Sequence, residues 1–260
     1  MIFKCRMLLR TPFLFLVFAA AVSFAPSHAQ AQTEGDYLYR VTMLRAAPGN
    51  FVDLMAALRE SFELDSQAGD RPPFWIRHSQ GDHWDFMLIY PMGGFSSYHD
   101  AGRVGQRAAV WESSRGKVLA TRLAAVTSYR EEWFARSVAI DEMAGRFDGK
   151  GFFHVEMFTG LPGKREELFE QRRMENRYYE HLGGRQLNLL FVREGGSNWD
   201  AMTIGFYENL QAFAAAGAMH SAEQQEAAAL AAGFDGVGAI SPYLRSLLAY
   251  HHDTLAVLAQ

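Results

Sequence analysis

A pattern that returns at a fixed offset constrains this 260-residue chain more than any other feature. Tyr39-Arg40-Val41-Thr42-Met43-Leu44 leads to Pro48-Gly49 and an amphipathic segment; Phe153-His154-Val155-Glu156-Met157-Phe158 leads to Pro162-Gly163 and another, 114 residues on. Further along, Gly81-Asp82-His83-Trp84-Asp85-Phe86-Met87-Leu88-Ile89 matches Gly196-Ser197-Asn198-Trp199-Asp200-Ala201-Met202-Thr203-Ile204 at an offset of 115, with Gly, Trp, Asp, Met and Ile in register. Self-similarity of this length means that one structural unit is used twice.

Each unit reads as strand, helix, strand, strand, helix, strand. The first strand is β-branched and aromatic, and the first helix follows the Pro-Gly turn. Phe51, Leu54, Met55, Leu58 and Phe62 fall on one face of it. Its counterpart, about Lys164 to Leu182, carries five acidic and five basic residues, which predicts a solvated face with i,i+4 pairs. Strands two are predicted at Phe74–His78 and Leu187–Arg193, each turned by a Gly-containing hairpin into strand three. Second helical regions span roughly 96–123 and 210–232; in the latter, Ser221 with Gln224 predicts a capped start and Gly233 a stop. Fourth strands follow at Val126–Glu131 and Leu248–Asp253.

The order βαββαβ is ferredoxin-like, an antiparallel sheet with both helices on one face. Two such sheets can bury their open faces against each other and close a barrel about a pseudo-two-fold axis. The predicted class is therefore α+β, with a first repeat at 37–135, a polar connector at 136–150 and a second repeat at 151–260. On the strand-one/Pro-Gly/helix element and the Trp-Asp-led third strand, the chain resembles the dimeric α/β-barrel superfamily, and within it the NIPSNAP-like and stress-barrel domains. That resemblance implies a choice among cofactor-free monooxygenases, haem-dependent chlorite dismutases, dye-decolourising peroxidases and proteins without assigned activity; fold alone selects none of them.

The N-terminus predicts export. Lys4, Arg6 and Arg10 precede the apolar run Phe13–Val22, and Ser27-His28-Ala29 or Ala29-Gln30-Ala31 offers a small-x-small cleavage site. The alternative is an uncleaved anchor. Removing residues 1–29 takes the formal charge from −4 to −7 and removes Cys5, the sole cysteine. Thiolate chemistry and disulfides are then excluded. An acidic chain without a basic run argues against nucleic acid or an anionic membrane as partner. A periplasmic or secreted protein with a small-molecule ligand, without a membrane partner after cleavage and open to homo-oligomerisation, is the expectation.

Period-two alternation splits each central strand into two sets. Val41 and Met43 match Val155 and Met157, a repeated apolar set expected to pack under the helices. The divergent set (Arg40, Thr42 and Leu44 against His154, Glu156 and Phe158) is expected to face the barrel lumen. On strand three, Phe86, Leu88 and Tyr90 stand against Ala201, Thr203 and Gly205. Small side chains in the second repeat predict a cavity there, beside His154 and Glu156 and walled by Phe158 and by Tyr250 with one of His251 or His252, while bulky ones plug the first repeat. His154 and Glu156 share a strand face, an arrangement suited to a base and its orienting carboxylate.

Adjacent His251 and His252 point to opposite faces, so one at most reaches the lumen. His78, His83 and His99 read as surface residues, and Trp84 and Trp199 as structural anchors. No G-x-G-x-x-G at a strand–helix junction, phosphate-cradling Gly-Lys-Ser, H-E-x-x-H or G-x-S-x-G occurs. The first expectation for function is a barrel binding a small apolar or aromatic molecule in the second repeat. A cofactor-free oxygenase or isomerase using His154 and Glu156 is the second, and a haem or metal protein, for which no ligand motif is present, the third. No cofactor is predicted, with haem and a divalent metal left open; a set of His154, Glu156 and a strand-four histidine would be the metal ligands.

Overall fold

The computed structural model describes residues 35–184 and 187–259; the segment read as a signal peptide, with Cys5, lies outside them. The elements run β1 (Tyr37–Ala46), α1 (Phe51–Gln67), β2 (Phe74–Gln80), β3 (Phe86–Gly93), α2 (Phe95–Tyr98), α3 (Ala101–Trp111), α4 (Ser114–Val126) and β4 (Thr127–Ser137). A helix α5 (Ile140–Phe147) links to β5 (Phe152–Gly160), α6 (Arg165–His181), β6 (Leu189–Gly196), β7 (Ala201–Tyr207), α7 (Leu210–Ala216), α8 (Ala222–Ala231), α9 (Ile240–Leu247) and β8 (Leu248–Leu258). The capping box at Ser221 and Gln224 forms as expected. Each predicted second helix is instead broken into shorter ones. Asp100 and Ser113 cap new starts within the first region, at α3 and α4. No helix among the described residues is long and apolar enough to cross a membrane.

All eight strands pair antiparallel, in the closed order β1-β3-β2-β8-β5-β7-β6-β4. Two joins, β2 to β8 and β4 to β6, close the barrel, and both lie at the repeated glycine of the hairpins. A side chain on Gly81 (φ +113°) would sit 2.3 Å from the Asp253 carbonyl oxygen, and one on Gly196 (φ +102°) 2.6 Å from the Cα of Trp133. The glycines are required because backbone from the other half passes there. The repeated aspartates have an equally definite task. Asp85 accepts a hydrogen bond from the Ala46 amide (2.8 Å), and Asp200 accepts one from Gly160 (2.9 Å), so each carboxylate secures the end of its half's first strand.

The lumen is filled. Val41, Met43, Met87 and Ile89 meet Val155, Met157, Met202 and Ile204 in a single core with Trp84, Trp133, Phe153 and Phe191. An eight-stranded barrel is just wide enough for side chains to fill. Burial of such groups at about 25 cal/mol per Å2 of apolar area is the main stabilising term. Helix α5 seals one end: Met143 is buried, and Phe147 stacks on Phe74 at 4.8 Å and packs against Phe153 and Phe206. The expected orientation of the strands is thus reversed. The repeated apolar set faces inward, and the divergent set faces the helices. Alternation separates two faces without saying which is interior.

Candidate functional site

Outward-facing residues of the first half line a cavity of about 840 Å3 between the sheet and α1, α3 and α4. Its floor includes Arg40, Thr42, Leu88 and Tyr90, its roof Leu58, Ser61, Asp65 and Trp111, and its rim Ser128 and Arg130, which are exposed at the start of β4. Arg40 lies over the Tyr90 ring, with its guanidinium carbon 4.3 Å from the ring centroid. Its Nε is buried with no hydrogen-bond partner, 3.8 Å from a Glu132 oxygen. That same oxygen already accepts from Thr42 (3.1 Å) and Arg130 (2.7 Å).

Across the cavity, the Asp65 carboxylate accepts a hydrogen bond from the Trp111 indole at 3.1 Å. Burial pushes its pKa above the ordinary carboxylate value, although that hydrogen bond and Arg40 pull the other way. The Tyr90 phenol is pushed up by burial as well. Arg103 fastens the lid of helices: it donates to the Ala68 and Gly69 carbonyls at 3.2 and 2.9 Å and to Asp70 at 2.5 Å. Arg107 covers the Tyr98 ring at 3.9 Å. The arrangement offers a guanidinium, an acid that burial makes hold its proton more tightly than usual, and aromatic walls.

The corresponding space in the second half is occupied by protein. His154 pairs with Gly205 across the β5–β7 ladder, Glu156 with Thr203 and Phe158 with Ala201, so the sequence-predicted residues do come together, but outside the lumen. Glu156 accepts from Arg172 (3.3 Å) and Thr203 (3.1 Å), with His251 Nε2 at 3.5 Å from its other oxygen. Burial opposes its ionisation, yet His251 and Arg172 hold the pKa down at about 2. Arg172 is itself buried, bonds Glu175 and Gln171, and lies 4.9 Å over the Phe158 ring. The charged helix is therefore not solvated along its whole length: its face toward the sheet carries an ion network. Glu175, sharing that guanidinium, is pushed up by burial.

The small residues of β7 open no room for a ligand. Ala201 is covered by Leu168, Phe169, Leu244 and Leu247, and Thr203 by Glu156. A side chain on Gly205 would sit 2.8 Å from Asn188 and 3.2 Å from Tyr207. His154 bonds Asp253 at 2.5 Å; burial lowers its pKa, but Asp253 and Glu156 outweigh it and the net shift is upward. Tyr250 and His252 are not in this group. They sit on the opposite face of β8 at a barrel end, where Trp199 stacks on Tyr250 at 5.6 Å and His252 bonds Asp82 at 2.8 Å. The histidine that reaches Glu156 is His251.

No family profile matches the chain, and no curated protein sequence matches it. Solved structures do. One is an anthrone oxidase-like protein, 11% identical, with a TM-score of 0.51 over 88% of this chain and 94% of that one. Others are a candidate monooxygenase from Lactobacillus acidophilus NCFM (7%, TM-score 0.48, 86% and 94%) and a mutant chlorite dismutase from Candidatus Nitrospira defluvii in complex with cyanide (10%, TM-score 0.46, 88% and 92%). The fold is shared. Identities this low establish no more than that.

Strand patterns could not reveal Asp65, Trp111 and Arg107. One signal was present: Leu54, Leu58, Ser61 and Asp65 form a single stripe on α1 at helical spacing, and two polar residues ending an apolar stripe mark a buried polar site.

Proposed function

We propose that the protein binds a small molecule in the first-half cavity, one with an aromatic body and an acceptor group such as a carbonyl, phenolate or carboxylate. The observation that carries this reading is Arg40: a guanidinium laid over the Tyr90 ring on the wall of a cavity of about 840 Å3. Its positive charge gives an acceptor on the ligand a charge-assisted hydrogen bond worth about 1.5–3 kcal/mol. Tyr90, Tyr98 and Trp111 supply the aromatic contacts. The likeness to an anthrone oxidase-like protein fits a planar aromatic guest.

Asp65 favours a second reading of the same site, an oxygenase-type or isomerase reaction on an activated phenol or enol. A carboxyl with a raised pKa can exchange a proton with such a substrate, with Arg40 stabilising the resulting anion. His154 and Glu156 do not take this role in the proposal, since Arg172 holds Glu156 as an anion away from the cavity. Export, removal of residues 1–29 and descent of the barrel from a doubled ferredoxin-like unit belong to the same proposal; N-terminal sequencing of the native protein tests the first two.

Titration with hydroxynaphthoates and benzoates, followed by Trp111 fluorescence, tests the site. Saturable binding is expected, weakened at least tenfold in Arg40→Met and unchanged in His154→Ala. Equal affinity in wild type and Arg40→Met overturns the assignment.

A further inference from the structure

We propose a second site, remote in function from the cavity: Asp82, His83 and His252 bind a divalent transition-metal ion of the Zn2+ class at one end of the barrel. His83 Nδ1 lies 2.6 Å from Asp82 Oδ1, and His252 Nδ1 lies 2.8 Å from Oδ2. One ligand atom from each residue falls within 4.8 Å of the others, the span of a shared coordination sphere. Two imidazoles with one carboxylate, and a position left for water, is a donor set that suits such an ion.

The surroundings are those of a held site. The Asp82 side chain is 1% exposed, whereas those of His83 and His252 are 44% and 22% exposed, so the carboxylate is anchored and the ion's approach is open. Two donors fix the carboxylate without using the imidazole positions: the Trp84 indole at 2.9 Å and the His83 amide at 2.7 Å. His252 Nε2 is hydrogen-bonded to the Tyr250 hydroxyl, and its ring packs on Trp199 at 5.2 Å. Such outer partners set the ring orientation of a metal-bound histidine.

Proton balance is simple. Without metal each Nδ1 carries the hydrogen it shares with Asp82. On binding, the metal takes both Nδ1 lone pairs, each neutral ring moves its proton to Nε2, and any imidazolium releases one proton to solvent.

A second trio, His154, Glu156 and Asp253, has comparable spacing. There the Arg172 guanidinium stands 3.3 Å from Glu156 and occupies the place of a cation. The ion-paired partners of Asp82 are the two histidines. Because Asp82 and His83 belong to the β2–β3 hairpin and His252 to β8, the ion would clasp the β2–β8 join.

The test uses the full chain without an affinity tag, freed of metal by chelation. Zn2+ titration calorimetry should give one equivalent, and Co2+ should produce visible bands of a low-coordinate nitrogen–oxygen site with quenching of the nearby tryptophans. His252→Gln, Asp82→Asn and the double variant His83→Ala/His252→Ala should each lose affinity by at least about tenfold. They should also lose the rise in thermal midpoint that saturating Zn2+ gives wild type. His154→Ala should retain both. Circular dichroism identifies any variant that fails to fold, and His252→Gln then carries the comparison. Absence of stoichiometric binding, binding that survives the double variant, or binding lost in His154→Ala overturns the proposal.

Discussion

Leu58 and Arg172 occupy equivalent places on α1 and α6, 114 residues apart, and one borders a cavity where the other fills it. The same offset relates Ser61 to Glu175 and Asp65 to Tyr179. These helix positions, together with Asn188 lying over Gly205, distinguish the open half from the filled one.

Exchanging these positions should close the cavity. Leu58→Arg with Ser61→Glu rebuilds the second half's ion pair in the first. Ligand binding followed by Trp111 fluorescence should fall at least tenfold while the far-ultraviolet circular dichroism spectrum is retained. Unchanged binding would remove the cavity from consideration.

Arg172 is buried between two carboxyl groups, so truncating it should be severe. Arg172→Met leaves Glu156 and Glu175 without their shared cation, at a cost of about 3–5 kcal/mol. The deficit should shrink as pH falls and the carboxyls take up protons. Wild-type Glu156 has the opposite signature: its folded-state pKa, held at about 2, lies below the unfolded value of about 4.3, so its contribution is full above the latter and lost toward pH 2. Denaturant unfolding of both proteins at pH 3 and pH 7 measures the contrast.

Asp65 should behave in the reverse sense. Its raised pKa means the folded state holds the proton more tightly, so ionisation near neutral pH costs stability. Asp65→Asn, which keeps an acceptor for Trp111, should raise the thermal midpoint at pH 7. The advantage should vanish below the unfolded pKa of about 3.9. If Asp65 exchanges protons with a substrate, the same variant abolishes turnover and leaves binding measurable.

Gly81→Ala tests the barrel join. The added carbon would meet the Asp253 carbonyl oxygen at 2.3 Å, in a backbone conformation that alanine resists. A loss of about 2–4 kcal/mol is expected from backbone strain together with a disturbed β2–β8 ladder. Gly145→Ala, within α5 and with open space around it, should be neutral or stabilising by comparison. Thermal unfolding of the two variants decides.

What the sequence made legible follows from periodicity. The strand and helix order of the two halves, the Pro-Gly helix entries and the capping box at Ser221 all arise from local pattern. Which face of β1 and β5 looks inward does not, because Val41 and Arg40 alternate identically in either orientation. The cavity escaped for a related reason. Ala201, Thr203 and Gly205 are small, but volume over a strand is set by what the covering helix sends down, and Arg172 and Asn188 reach there from elsewhere in the chain. Similarly, β4 continues to Ser137 and α5 follows it inside the segment read as a polar connector; buried Met143 and half-buried Phe147 were hidden there among charges.

The shared lumen leaves neither half of the barrel an interior of its own. Val41 meets the environment that Val155 helps to make, and Met43, Met87 and Ile89 likewise answer to Met157, Met202 and Ile204. A change of volume at any of these places is felt by both halves at once. Residues turned toward the helices are under no such joint custody, so one half can hold a chamber while the other is solid, with the barrel itself undisturbed.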